Sequence, residues 1–297
     1  MSKPILVTGG TGFTGQFVCR ELLSRKKHFH CLVREGSNTQ WLEESGIQFV
    51  RGDLNDPASL LKIFGNYGTL VNVASLGFGA APGIISACCA SKLQRVVLVG
   101  TTAIFTTLNT ASKGPRTVAE VAIRASGLDF TLLRPTMIYG TPGDRNMVRL
   151  LKLIRHSPII PVFGDGKSLQ QPVHVEDVAW AICEVLESDK SVGQEYNISG
   201  KSPLDFNDVI RTSALALGRN PFVLHLPAKP FTVLLRMLER CRFRLPIKSE
   251  QILRLNEHKA FDHDKARSHF GYQPREFSAG IQSEIELFNA GLSFPKQ

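Results

Sequence analysis

The stretch Thr8-Gly9-Gly10-Thr11-Gly12-Phe13-Thr14-Gly15 constrains the fold more than any other feature of the chain. It follows an apolar run, Ile5-Leu6-Val7, and opens a segment in which Phe13, Phe17, Val18 and Leu22 recur at helical spacing. The expected order is strand, glycine turn, helix. Gly10-x-Gly12-x-x-Gly15 has the spacing of a dinucleotide-binding turn, and Gly9-x-x-Gly12-x-x-Gly15 has that of a wider variant. Glycines let the backbone approach a pyrophosphate, while the start of the helix aims unpaired N–H groups and a positive dipole end at its charge.

The next segments repeat the strand and helix alternation. Phe29 to Val33, Ile47 to Val50, Thr69 to Ala74, Arg95 to Gly100 and Phe130 to Leu133 read as further strands, apolar throughout instead of at every second residue. That pattern belongs to a parallel sheet covered on both faces. The fold class is therefore α/β, a doubly wound parallel sheet, and ligands of such sheets sit beyond the carboxyl ends of the strands. The glycine turn, Arg34, Asp53, Ala74, Thr101 and Thr102 all fall on that edge. Arg34 ends the second strand, where an acid would accept hydrogen bonds from the ribose hydroxyls of NAD and an arginine pairs with the extra phosphate of NADP. NADP(H) is accordingly expected in preference to NAD(H); the competing reading is an exposed arginine that begins a loop. Asp53 has two readings, a partner for an adenine amino group or a cap for the helix begun by Asp56-Pro57.

Composition narrows the class of protein. A chain of 297 residues, 43% hydrophobic and 21% charged, suits a soluble globular protein with one large or two unequal domains. It shows no apolar run of membrane-spanning length and no signal peptide, so a cytoplasmic location is expected. Its six cysteines, Cys19, Cys31, Cys88, Cys89, Cys183 and Cys241, have no paired spacing and are read as reduced thiols. The net charge of +9 favours anionic ligands. No nucleic-acid signature accompanies it. His174 with Glu176 and Asp177 resembles a metal set only superficially: one imidazole is present, and the carboxylates suit a helix start, so no metal is expected. Pro227 to Lys248 mixes Arg236, Arg240, Arg242 and Arg244 with Phe231, Val233, Leu234, Leu235, Met237 and Leu238. Its readings are weak peripheral membrane contact, a cover over a greasy pocket, and a core-facing helix with a solvated basic face.

Across nearly its whole length the sequence resembles the NAD-dependent epimerase/dehydratase group of short-chain dehydrogenases/reductases, in the extended or atypical branch. The matching motifs are Thr8-Gly9-x-x-Gly12-x-x-Gly15, Gly52-Asp53-Leu54, Ser126 through Pro135, Tyr139-Gly140, His174 through Ala179, and Phe270 through Arg275. The resemblance implies a Rossmann domain over residues 1–165, rejoined by 172–200, and a smaller, mainly helical substrate lobe over 201–297. It makes Asp53 and Leu54 adenine contacts and places Pro135 and Thr136 beside the nicotinamide. It makes His174 to Asp177 domain-packing structure. Tyr139 is read first as part of a packing motif.

The family's usual reaction uses a tyrosine and a lysine four residues later. Counting back from Ala119-Glu120, these positions fall on Ser112 and Arg116. An aliphatic hydroxyl is too weak an acid to replace a phenol near neutral pH. Thr101 or Thr102 would then supply a hydroxyl, Arg116 a ribose contact, and Lys113 a proton in a shifted register. Two functions are compatible with this. One is an NADP(H)-dependent oxidoreductase or epimerase-like enzyme lacking the standard dyad, acting on a nucleotide sugar or a lipophilic carbonyl or alcohol, with Thr102, Ser112 and Arg116 as the catalytic candidates. The other is a catalytically impaired NADP(H)-binding sensor or assembly protein.

Overall fold

The computed structural model describes residues 3–240 and 248–291; Cys241, Arg242 and Arg244 lie outside the described residues. The first half alternates β1 (Ile5–Thr8), α1 (Phe13–Ser24), β2 (Phe29–Val33), α2 (Gln40–Glu44), β3 (Phe49–Arg51), α3 (Pro57–Phe64), β4 (Thr69–Asn72), α4 (Ala81–Ala90), β5 (Arg95–Val99), α5 (Lys113–Ala125) and β6 (Phe130–Pro135). Thereafter come β7 (Ile138–Tyr139), α6 (Met147–His156), β8 (Ile159–Phe163), β9 (Leu169–Gln170), β10 (Val173–His174), α7 (Val175–Glu187), β11 (Gln194–Ile198), β12 (Leu204–Asp205), α8 (Phe206–Ala216) and β13 (Phe222–Leu226). Four helices complete the chain: α9 (Ala228–Arg240), α10 (Ser249–Leu255), α11 (Asp264–Phe270) and α12 (Phe277–Asn289).

Seven strands form one parallel sheet in the order β11-β6-β5-β4-β1-β2-β3. This is the Rossmann arrangement, and the order reverses between β1 and β4. Successive residues of one strand serve opposite cores. Val7, Val71, Val97 and Leu133 pack with α1 and α7, whereas Leu6, Leu70, Leu98 and Leu132 pack with α3, α4 and α5. Covering both faces is what makes these strands apolar throughout, and each fully buried side chain of this size contributes about 1.5–3 kcal/mol. The third strand begins at Phe49 and not at Ile47, whose N–H bonds to the Leu42 carbonyl in a turn. Apolarity there signals burial of the turn and not ladder pairing.

β11 pairs with β6 at the edge of the large sheet, and α7 packs against its face. The smaller lobe draws on earlier residues as well: β13 pairs with β8, and β12 with β9. Residues 159–163, placed by sequence with the Rossmann segment, thus join a two-stranded sheet with residues 222–226. Local chemistry sets the helix starts. Asp56 accepts from the N–H groups of Ala58 and Ser59 at 3.1 and 3.2 Å with Pro57 in the first turn of α3, and Asp205 accepts from Asp208 N–H at 2.7 Å.

Candidate nucleotide and substrate cleft

The turn after β1 is built for close approach. Gly9 has φ +73°, and a Cβ there would lie 2.8 Å from the Ala74 nitrogen, in the crossover after β4. A Cβ on Gly10 would meet the Cys31 sulfur at 2.6 Å, and one on Gly15 would overlap the Gly9 carbonyl. The buried hydroxyl of Thr8 donates to Asn72 Oδ1 at 2.7 Å, and Asn72 Nδ2 donates to the Ala74 carbonyl at 2.9 Å. These bonds brace β1 against β4 at the reversal of strand order. α1 then starts at Phe13 with no side-chain cap at Gly12 and no acid in its first turn. A cradle kept free of side chains, facing an uncapped helix start, fits a pyrophosphate.

From this turn a cavity of about 2530 Å³ runs along the carboxyl edge of the sheet and into the smaller lobe. Gly9, Thr11, Gly12, Phe13, Thr14, Gly15, Arg34, Asp53, Leu54, Ala74, Thr101, Thr102 and Thr136 all line it. Arg34 is exposed just past β2, while neighbouring Glu35 pairs with Arg51 at 3.7 Å. Asp53 Oδ1 accepts from the N–H and the Nδ2 of Asn55 at 2.9 and 3.0 Å, and the cap of α3 belongs to Asp56. Thr101 Oγ1 accepts from Ala103 N–H at 3.2 Å, and Thr136 Oγ1 donates to the Gln171 carbonyl.

The other candidates are placed differently. Pro135 does not line the cavity; it sits in β6, where its carbonyl accepts from the buried Thr102 hydroxyl at 3.3 Å. Ser112 and Arg116 do not line it either. Ser112 precedes α5, and half-buried Arg116 lies against Gly77, where burial and then Arg254 lower its pKa. Lys113 Nζ donates to the Thr106 carbonyl at 2.5 Å. Tyr139 is buried against His174 and Phe277 at ring distances of 5.4 and 5.3 Å, and burial raises its pKa. Its place is in the packing of the smaller lobe.

Several residues that line or brace the cleft carry no signature in the sequence. Residues 251–261 cross to the cavity, bringing Arg254, Glu257, His258 and Lys259 to its wall beside Arg145 and Arg149. Glu257 fastens this segment to the loop after β5: it accepts from Thr106 Oγ1 at 2.8 and 2.7 Å and from both the N–H and hydroxyl of Thr107 at 2.9 Å. Phe261 stacks near Phe105 at 5.5 Å. Burial lowers the pKa of Lys259. Asp144, also on the wall, takes N–H bonds from Asn146 and Met147 at 2.8 and 2.7 Å. Its partner is the fully buried Glu284, which accepts from Gly140 N–H at 3.0 Å and is pushed up to about 10, first by burial and then by the Asp144 charge. The Gly140 bond ties α12 to the segment that carries Asp144.

His174 caps α7, accepting from Glu176 N–H at 3.3 Å, and Arg275 pairs with Asp177 and Glu176 at 2.9 and 2.7 Å. The cap is thus His174, with Glu176 and Asp177 in the first turn of α7, and among the described residues no group of three or more His, Cys, Asp or Glu is arranged for a metal. Burial, and then the Arg275 charge, push His174 down to about 4. A free imidazole titrates higher, so the unfolded chain takes up this proton first, and stability is lost as pH falls from the unfolded value through the folded one. Between about pH 7.5 and 5 the expected loss from this group is about 2 kcal/mol. Denaturant titrations of the parent and His174→Asn check it; a parent curve no steeper with pH than the variant's counts against the assignment.

Comparison with known proteins places the chain. A family model described as NAD(P)H-binding matches residues 9–189. "Ceramide reductase" of Caulobacter vibrioides is 25% identical, with 75% of this chain and 73% of that protein covered. "Short-chain dehydrogenase/reductase family 42E member 1" of Mus musculus is 26% identical, with 97% and 88% covered. The crystal structure of gox2253 superposes with a TM-score of 0.81 at 20% identity, covering 98% of this chain and 99% of that one.

Proposed function

The chain belongs to the NAD(P)H-binding family, among the epimerase/dehydratase-type short-chain dehydrogenases/reductases, and on that premise we propose that it is an oxidoreductase preferring NADP(H) and acting on a lipophilic carbonyl or alcohol. The bound nicotinamide would supply hydride chemistry; the residues that would hold the dinucleotide are the 9–15 turn, Arg34, Asp53, Leu54, Ala74, Thr101 and Thr136. The carrying observation is the apolar share of the cavity lining beyond that turn, Phe105, Met137, Leu150, Ile160, Phe163 and Phe206, which stands in the same cavity as the cations Arg145, Arg149, Arg254 and Lys259. Such a lining favours an apolar substrate body over a sugar. The relative named for ceramide reduction supports the same substrate class.

In this reading the Thr102 hydroxyl turns from the Pro135 carbonyl to the substrate oxygen, and proton exchange does not use a tyrosine. Mixing the protein with NADPH and long-chain ketones, with nucleotide sugars as a parallel arm, tests it by loss of nicotinamide absorbance. Turnover confined to the ketones is expected. A second reading, the NADP(H) sensor, is favoured by Ser112 and Arg116 lying off the cavity wall. Tight NADPH binding without turnover of any substrate would select it.

Cofactor preference rests on Arg34. A charge-assisted bond to the 2′-phosphate contributes about 1.5–3 kcal/mol, so Arg34→Asp should weaken NADPH binding relative to NADH by about 10- to 100-fold. An unchanged ratio of the two dissociation constants would remove Arg34 from the phosphate.

A further inference from the structure

The outer face of α9 is neither core nor cavity wall. Pro230, Val233, Leu234 and Met237 fall three and four residues apart and form one exposed stripe, with Val233 and Leu234 51% and Met237 61% exposed. Lys229, Arg236 and Arg240, also exposed, recur at seven and four residues and occupy the strip beside it. The opposite face turns inward: Thr232 is buried, and the Phe231 ring meets Phe163 at 5.4 Å. Glu239, the acid of this helix, is held against α10 by accepting from the N–H and hydroxyl of Ser249 at 2.7 and 2.8 Å. The sheet that leads into α9 repeats the pattern. Its register pairs Phe222 with Ile159, both exposed, and the neighbouring Leu224 is exposed as well.

We propose that this face seats the smaller lobe on an anionic lipid bilayer, the α9 stripe entering the headgroup boundary while Lys229, Arg236 and Arg240 meet lipid phosphates. An exposed apolar stripe of this kind marks an interaction surface, and a flanking row of cations without a carboxylate among them is complementary to an acidic membrane. Among the described residues no helix is long and apolar enough to cross a membrane, so α9 lies along the surface. α9 packs on α10, whose Gln251, Ile252, Arg254 and Leu255 line the cavity. On the function proposed above, docking therefore sets the cavity one helix away from substrates dissolved in the bilayer.

Sedimentation with vesicles of phosphatidylcholine, with or without phosphatidylserine, tests the proposal on the full chain. Binding to the anionic vesicles is expected, weakened by salt and much weaker without phosphatidylserine. At about fivefold per basic residue, removing two charges through Arg236→Gln/Arg240→Gln should reduce it roughly 25-fold. Leu234→Asp/Met237→Asp should reduce it at least as much. Parallel NADPH titrations report whether each variant is folded and separate this result from the fate of the proposed reaction. Vesicle binding that is absent in the parent or unchanged in both folded variants overturns the proposal. So does a dimer, seen by light scattering, that the Leu234→Asp/Met237→Asp change dissolves while vesicle binding persists, since the stripe would then belong to a second copy of the chain.

Discussion

Gly15→Val should weaken NADPH binding by at least about a hundredfold, equivalent to about 3 kcal/mol. The expectation follows from contact, not from the motif alone. Gly15 lies in the first turn of α1, and any Cβ there would overlap the Gly9 carbonyl. The helix must then move away from the turn, and the Gly9 backbone must move with it. Gly9 is itself pinned, because its φ is +73° and the Ala74 nitrogen lies 2.8 Å from where a Cβ would project. Displacing this pair separates the uncapped N–H groups of α1 from the pyrophosphate position they serve. Overpacking of this kind costs about 1–3 kcal/mol of stability as well. Circular dichroism should accompany the nucleotide titration for that reason. A folded Gly15→Val protein with an unchanged dissociation constant would remove the turn from the binding site.

Arg134→Met is expected to cost about 3–5 kcal/mol of folding stability. Arg134 is buried at the end of β6, donating to Glu120 at 2.8 and 2.6 Å and also to Glu195. Glu120 is buried too. Arg124 completes the network with bonds to Glu195 of 2.5 and 2.9 Å, and its hydrogen bond, joined by that of Arg134 against the cost of burial, holds Glu195 down at about 2. Deleting the central guanidinium leaves the Glu120 carboxylate in the interior with its remaining partner at the surface. The double change Arg134→Met/Glu120→Leu removes both charges and should recover much of the loss, which denaturant unfolding measures as a coupling energy. Equal losses from the single and double variants would mean that packing, not charge, dominates. The Arg134 guanidinium also lies 5.4 Å from the Phe105 ring, on the cavity wall. The same substitution should therefore loosen the loop that carries Thr101 and Thr102.

How much of this was readable in the chain depends on the distance over which each feature is encoded. The glycine turn, the strand run at Arg95–Val99 and the helix start at Asp56-Pro57 are written within a few residues, since backbone conformation and burial are decided locally there, although the cap falls on Asp56 and not on Asp53. Arg34 and Asp53 were placed on one edge because parallel strands align their carboxyl ends. The segment carrying Arg254, Glu257 and Lys259 was not legible. Its place on the cavity wall is fixed by hydrogen bonds from Glu257 to Thr106 and Thr107, about 150 residues earlier. The Asp144 and Glu284 pair is equally nonlocal, separated by the whole of the smaller lobe. Helical periodicity could announce that α12 is amphipathic, but not that one buried position on it, Glu284, would lie beside a second carboxyl. The family resemblance puts Ser112 and Arg116 at the tyrosine and lysine positions, and a matched position does not report that neither residue lines the cavity.

Titrating the purified protein with NADPH and NADH, followed by nicotinamide fluorescence, tests the central claim most directly. Saturable binding at one site is expected, tighter for NADPH, lost in Gly15→Val and retained when the exposed face of α9 is changed. Absence of saturable binding of either nucleotide by the folded protein would contradict it.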